Sequence, residues 1–516
     1  MPKKLPIGIS TLSQIINDGY IYIDKTQIAL DLIDSGKYYF LSRPRRFGKS
    51  LFLDTLKEIF KGNKELVKGL YIYDKYNFES YPVISVSFGS GGVKTIEDLH
   101  NEVDIILEKN QRYLNIKCPA GYRFKHCFQY LIEEAYKKYQ KPVVILIDEY
   151  DKPILDNIEN KEIARQIRDE LKNFYAVIKD SDAFIKFVFI TGVSKFSKVS
   201  LFSGLNNLND ITINPRYATI CGYTQKDVET SFAEHLKGVD LEKVRRWYNG
   251  YRWLGEPVYN PFDILLFISN QYRFGNYWFS TATPTFLLKL IEKNRYHLPN
   301  LEKAVKDYRM LDSFDVDFID IETLMWQTGY LTIIEAKDTP RGVLFHLGIP
   351  NLEVELSLFG SIADFITRTN NSAIISNNLY MALLNQDLET FKQELISLFA
   401  SIPYTNFTGE KLYEYEGYYV SVFYAYMKAL GVELIAEDIT NKGRIDLTLK
   451  FDDAIYIMEF KEEGKDALGQ IKQKKYYEKY LSENKPIYLI GIEFDRKERN
   501  VVKVEAETLR HKSNNY

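Results

Sequence analysis

Residues 38–52 read YYFLSRPRRFGKSLF, and how this stretch is read decides the first half of the chain. The apolar run Tyr38–Leu41 predicts a buried strand. The Arg-rich segment after it predicts a turn, and Leu51, Leu53, Leu56 and Phe60 then recur at helical spacing. Strand, loop and helix in that order are the context of a phosphate-binding loop. Gly48 would let the backbone approach a phosphate closely. The amides around Arg46–Ser50 point at the anion, and the new helix adds its positive end. Phe47, Gly48 and Leu51 complete the candidate binding segment. Lys49 would reach the outer phosphates and the Ser50 hydroxyl would ligate Mg²⁺. The strict pattern is G-x-x-x-x-G-K-[ST], and its first glycine position is Arg43 here. Gly48-Lys49-Ser50 alone therefore also fits an ordinary loop or helix start.

A second element bears on that choice. In KPVVILIDEYDKPI (141–154) the apolar run Val143–Ile147 predicts a fully buried strand. Asp148 and Glu149 stand at its C-terminal end, where ligands bind in open α/β sheets. Asp148 would hold Mg²⁺, and Glu149 would orient or activate an attacking water. A solvated acidic turn is the bland alternative, and the upstream loop weighs against it.

The 516-residue chain is long enough for several domains, and its net charge of −3 announces no global basic field. Cys118, Cys127 and Cys221 form no C-x-x-C pair and are expected to be reduced thiols of a cytoplasmic protein. The six histidines show no metal-ligand spacing. MPKKLPIGIS lacks the apolar core of a signal peptide, and no apolar run approaches the ~20 residues of a membrane span.

Along the chain, Asp24 and Gln27 predict a capping box for a lead-in helix. A strand is expected over 81–88 and helices over 95–115, 124–140 and 161–179. A buried strand follows, ending on Thr191-Gly192. Thr191, Ser194 and Lys195 stand where a phosphate sensor would be, or mark a routine strand-to-loop transition. RRWYNGYRW (245–253) is a base-stacking cluster or, more commonly, a packed corner. Helices over 259–268 and 283–293 open on prolines. A helix and hairpin over 319–350 resemble a small winged-helix connector.

Residues 410–494 carry a second constellation. A helix with Glu416 near its start leads into a hairpin turning at Lys442-Gly443, with Asp446 on its second strand. The next strand carries Glu459 and Lys461, placed on one face by period-two alternation. A helix over 464–481 with Gln470, and a strand over 485–494 closing the sheet, complete the order αβββαβ. Asp446 and Glu459 are hard oxygen ligands for Mg²⁺ or Mn²⁺, and Lys461 would act on the attacking water or the phosphate. Both carboxylates interrupt apolar strands, where an unpaired charge is costly. Lys465, Lys472, Lys474, Lys475 and Lys479 form a basic stripe that fits phosphate contact or a solvated face equally.

YIDKT (22–26), RPRRFGKSL (43–51), LIDEYDKP (146–153), GVSKFSKVSLFSGLNNLNDIT (192–212), WYNGY (247–251), YNPF (259–262) and GRID with EFK (443–446, 459–461) occur together. With them the chain resembles bacterial AAA-ATPase-like proteins that carry a C-terminal PD-(D/E)xK nuclease-superfamily domain. That family itself uses RPRRFGKS in place of the strict loop. The resemblance implies an α/β protein in three parts. These are a P-loop NTPase domain of the ASCE/AAA-like kind (1–215), a helical and winged-helix-like middle (216–385) and a restriction-endonuclease-like domain (386–516). It implies ATP and Mg²⁺ at Lys49, Ser50, Asp148 and Glu149. A nuclease-type metal site is implied at Asp446, Glu459 and Lys461, with Glu416 and Gln470 in support. Nucleic acid is the expected partner, DNA ahead of RNA, with no membrane. If the chain instead works as a protein-remodelling ATPase, a homo-oligomer is expected, in which Arg165, Arg168 or Arg216 reaches a neighbour's site. The alternative is a nucleotide-dependent switch or remodelling ATPase whose C-terminal domain binds without cleaving.

Overall fold

The computed structural model describes residues 2–195, 201–202, 205, 207–281, 285–294, 296–311, 319–368, 372–402, 416–495, 497–498 and 500–509. The chain divides into two compact units, Met1–Ala282 with Val305–Asn351, and Thr283–Ala304 with Leu352–Tyr516. The middle segment expected over 216–385 is thus shared between two units and does not stand as one body.

The first unit is built on a parallel sheet. Its strands are β1 (Tyr38–Ser42), β2 (Val83–Ser87), β3 (Val143–Asp148), β4 (Ile185–Gly192) and the short β5 (Asn209–Asp210), in the spatial order β2-β3-β4-β1-β5. The central strands are apolar because both sheet faces are covered there: every residue of β1 and β3 is buried. β4 lies between β1 and β3 and pairs with each, Ser42 with Gly192 and Ile147 with Ile190. The phosphate loop and the acidic end of β3 therefore open at the same edge, one strand apart. Helices Lys49–Phe60, Ile96–Leu114, Phe124–Tyr139 and Lys161–Asp180 cover the sheet. The second of these is opened by a capping box between Thr95 and Asp98.

The lead-in helix departs from expectation. It spans Thr26–Ser35, and its N-cap, Lys25, makes no side-chain cap bond, so Gln27 falls one position short of a capping box. Asp24 instead accepts the amide and hydroxyl of Thr26 (2.8 and 2.7 Å) and the amide of Tyr71 (2.7 Å). A second correction concerns the thiols. Cys118 and Cys127 are joined in a disulfide across the loop between two helices, and Cys221 is free and buried. Nothing in a spacing of nine residues announces this; the pairing follows from how the loop folds back.

The rest of the first unit forms an aromatic corner and a small antiparallel sheet. β6 (Val305–Asp307), β7 (Thr332–Thr339) and β8 (Gly342–Gly348) pair in the order β6-β8-β7, beside the helix Ile321–Thr328. Tyr248, Tyr251 and Trp253 are buried, so the 245–253 cluster is packing and not an open stacking platform.

The second unit carries β9 (Glu433–Thr440), β10 (Gly443–Lys450), β11 (Ile455–Glu462), β12 (Ile487–Asp495) and β13 (Asn500–Leu509), in the order β13-β12-β11-β10-β9. β11 and β12 are parallel and the other pairs antiparallel. β12 therefore does not close the sheet; β13 does. The helix expected over 464–481 is also two pieces, an α-helix Ala467–Lys474 and a 3₁₀ segment Tyr476–Glu483, broken where Lys475 takes a positive φ of 52°. Among the described residues no helix is long and apolar enough to cross a membrane.

Gly250 joins the aromatic corner to the small sheet's trailing loop. Its φ is +131°, and a Cβ there would lie 1.8 Å from the Pro350 carbonyl oxygen. Gly250→Ala is expected to destabilise the first unit by about 3 kcal/mol, since backbone strain and overpacking add. Urea denaturation reads this as a lowered midpoint; an unchanged midpoint would show that the contact is not maintained.

Candidate functional site

The phosphate loop starts as an extension of β1. The Arg43 amide donates to the Gly192 carbonyl (3.2 Å), and the Arg43 side chain then turns into the protein and is fully buried. Its guanidinium donates to the carbonyls of Ser42 (2.9 Å), Thr212 (2.8 Å) and Tyr217 (3.3 Å) and lies 4.0 Å over the Trp253 ring. Burial lowers its pKa to about 10. The arginine in the glycine position is thus a structural anchor. Phe47 is buried edge-on against Tyr251 and Trp253. Arg46 takes φ 67° and lies 5.0 Å over Phe262.

Gly48 caps the following helix in the left-handed region (φ 93°), a conformation that favours glycine. Lys49 is buried, and its ammonium donates to the carbonyls of Arg43 and Pro44 (2.9 Å each). Burial lowers its pKa. The Ser50 hydroxyl donates to Asp148 Oδ2 (2.5 Å). Glu149 has φ 52°, and burial first, then the Asp148 charge, raises its pKa. These groups face a cleft of about 400 Å³ whose lining includes Arg45, Lys49, Ser50, Glu149 and Phe262. Serine hydroxyl, carboxylate, lysine and helix N-terminus in one cleft fit a nucleotide phosphate with its cation.

The sensor candidates separate. The Ser194 amide and hydroxyl donate to Asp151 (2.6 and 2.5 Å), and Lys195 pairs with Asp210 at 2.7 Å. Both serve internal partners, while the buried Thr191 hydroxyl has no hydrogen-bond partner. Asp151 is the residue that sequence reasoning missed. Buried, it also accepts the Val193 amide (3.1 Å) and ties the end of β3 to that of β4. Its only signal was a third acid in DEYD, which resembles a solvated turn. Among the arginines proposed to reach a neighbour, Arg168 pairs with Asp169 (3.0 Å) and Arg216 with Asp31 (3.5 Å).

In the second unit the expected site residues converge. β10 and β11 are paired as far as Leu447 and Met458, and Asp446 and Glu459 stand one step beyond. There Asp446 Oδ2 accepts the Phe460 amide (2.8 Å), a side chain substituting for the ladder. Lys461 Nζ is 2.9 Å from Glu459 Oε1 and 3.7 Å from Asp446 Oδ2. Gln470, on the helix Ala467–Lys474, donates to Glu459 Oε1. Tyr476, which was not anticipated, stands beside the Gln470 side chain and the Arg444 backbone. Glu416 opens the helix Glu416–Lys428, and its side chain lies outside the described residues.

Glu459 is almost fully buried, and its Oε2 has no hydrogen-bond partner. Burial first, and the Asp446 charge second, raise its pKa to about 7. A buried carboxylate oxygen left without a donor, beside a second carboxylate, fits a hard divalent cation. The neighbouring basic stripe is largely neutralised. Lys465 pairs with Glu462 (2.9 Å), Lys472 with Glu507 (2.6 Å), Lys475 with Glu478 (4.0 Å) and Lys479 with Asp438.

Fold and sites define a protein with an ATPase-like P-loop unit and a nuclease-like unit, and the chain belongs to the family that joins the two. Residues 6–202 match the model described as predicted AAA-ATPase, and residues 414–504 that of the PD-(D/E)XK nuclease superfamily. The chain is 46% identical over 514 residues to a protein of Azotobacter chroococcum mcd 1 described as "Uncharacterized protein in vnfD 5'region". That alignment covers 98% of this chain and 99% of the relative. No solved structure matches.

The raised pKa of Glu459 has a consequence for stability without metal. A carboxyl whose folded pKa lies above its unfolded value contributes stability below about pH 4.5, and this is lost as pH rises through about 7. Glu459→Gln is therefore expected to be more stable than wild type above pH 7, by on the order of 2 kcal/mol, with the gap closing toward pH 4.5. Thermal melts in chelator across that range test it; a pH-independent gap would exclude the raised pKa.

Proposed function

We propose that the protein binds and hydrolyses ATP in the cleft around Lys49 and is a divalent-metal-dependent phosphodiesterase at Asp446, Glu459 and Lys461, acting on nucleic acid. DNA is the first substrate to test. The observation that carries the nuclease reading is the orphaned Glu459 Oε2 held beside Asp446 and Lys461.

In the first cleft, Lys49 exchanges the Arg43 and Pro44 carbonyls for phosphate oxygens, a stronger charge-assisted contact. Ser50 and Asp148, already in contact, are the groups that would hold Mg²⁺, which supplies charge neutralisation on the outer phosphates. Glu149 is placed to orient water at the same edge. In the second site, Asp446 and Glu459 would hold Mg²⁺ or Mn²⁺, which supplies a lowered pKa to a bound water. Lys461 donates toward the scissile phosphate or the water. Gln470 and Tyr476 fix the Glu459 carboxylate.

The neutralised lysines of the 465–479 segment favour a second reading, in which this domain binds a partner without cutting it. One assay separates the two. Purified protein is incubated with plasmid, oligonucleotides and Mg²⁺ or Mn²⁺, with and without ATP. Asp446→Ala and Lys461→Ala are expected to lower cleavage by ~10²–10⁴-fold. Lys49→Ala is expected to lower ATP turnover by ~10²-fold. ATP turnover without cleavage under any condition would leave the binding reading in place.

A further inference from the structure

The proposed ATP site contains one more cation, Arg45, beside Lys49. Arg45 is exposed and lines the cleft with Lys49 and Glu149. Its main chain is fixed on both sides. The Arg45 carbonyl accepts the Trp278 indole N–H (3.2 Å), and Pro44 before it is seated against Gly329, where a Cβ would come within 2.8 Å. The other cations of the loop are occupied: Arg43 by carbonyls, Arg46 by the Phe262 ring, Lys49 by the loop itself. Among the described residues the Arg45 guanidinium makes no hydrogen bond or ion pair, and its charge is felt at the Tyr330 hydroxyl. A long, permanently charged fork thus projects from a rigid anchor at the lip of the phosphate cleft.

We propose that Arg45 is a catalytic residue supplied in cis, whose guanidinium contacts the transferring γ-phosphoryl group, so that turnover needs no arginine from a second copy. This rests on the reading of the cleft as an ATP site. In the step, the bond from the γ-phosphorus to the β,γ-bridging oxygen breaks as one to the water oxygen forms. The bond's electrons leave with ADP, and the water proton passes to Glu149. Charge spreads over the γ-phosphoryl oxygens at that moment, and a two-donor planar cation meets it there.

The test uses full-length protein, with Arg45→Ala and Arg45→Lys. We expect Arg45→Ala to bind ATP within about threefold of wild type, since Lys49 and the loop amides hold the ground state. Its kcat falls ~10³-fold, the range of a supplied arginine. It fails to trap ADP with aluminium fluoride and Mg²⁺, and added guanidinium partly restores turnover. Arg45→Lys retains more activity than Arg45→Ala. Wild-type turnover per chain is independent of protein concentration, and mixing Arg45→Ala with Lys49→Ala restores nothing. Restoration on mixing, or an Arg45→Ala enzyme that traps the fluoride complex and turns over normally, overturns the proposal and leaves the ATP site standing. A wild-type protein that binds no ATP overturns the ATP reading and this proposal together.

Discussion

The buried guanidinium of Arg43 is the constraint on which the first unit depends. A charge with no solvent contact is costly unless acceptors meet its donors, and the two terminal nitrogens of Arg43 meet three carbonyls while its plane lies over an indole face; only Nε is left without a partner among the described residues. Those carbonyls come from β1 and from the segment that follows β5. The indole belongs to the corner around Trp253. One side chain thus joins sheet, return loop and aromatic corner at the first position of the phosphate loop. The loop's later residues are held by the same surroundings: Phe47 by Tyr251 and Trp253, Arg45 by Trp278, Pro44 by the space that Gly329 leaves. A glycine-rich loop reaches its phosphate-cradling shape through conformational freedom at its own residues. This loop has glycine only at Gly48 and is shaped from outside.

The second site is set by a different constraint, the end of a strand pairing. While β10 and β11 are paired, their backbone polar groups satisfy one another. At Asp446 and Glu459 the ladder stops, and the Phe460 amide turns to Asp446 instead. The divergence makes room for two carboxylates, and the helix bearing Gln470 packs so closely that Gly491 is needed on β12. A Cβ there would lie 2.3 Å from the Leu468 amide nitrogen. That contact brings Gln470 onto Glu459 and Tyr476 onto Gln470.

What was legible in the sequence was local. Apolar runs marked β1, β3, β4 and β11, and period-two alternation put Glu459 and Lys461 on one face. What escaped was set by distant partners or by conformations with no residue signature. The carbonyl acceptors of Arg43 lie as far as 174 positions away. The role of Asp151 exists only because the end of β4 comes beside it. Lys475 breaks its helix in a left-handed conformation without the glycine that would have announced it. β13 is an edge strand: Lys503, Glu505 and Glu507 alternate with Val504 and Ala506, but only Val501 is buried, so its apolar face is too weak to mark a strand of the core.

The two sites differ in how they hold their reactive groups. In the phosphate cleft the groups that would take phosphate and cation already have provisional partners: Lys49 rests on carbonyls, and Ser50 rests on Asp148. A ligand there replaces existing contacts, so its gain is the difference between a carbonyl and a phosphate oxygen. Glu459 has no such substitute at Oε2. Its charged form is disfavoured by burial and by the Asp446 charge, and Lys461, the Asp446 backbone and Gln470 oppose this, Lys461 and Gln470 at Oε1. The first site is thus organised to exchange partners, the second to gain one. A cation entering the second site relieves a desolvated carboxylate, whereas an anion entering the first must displace bonds already made.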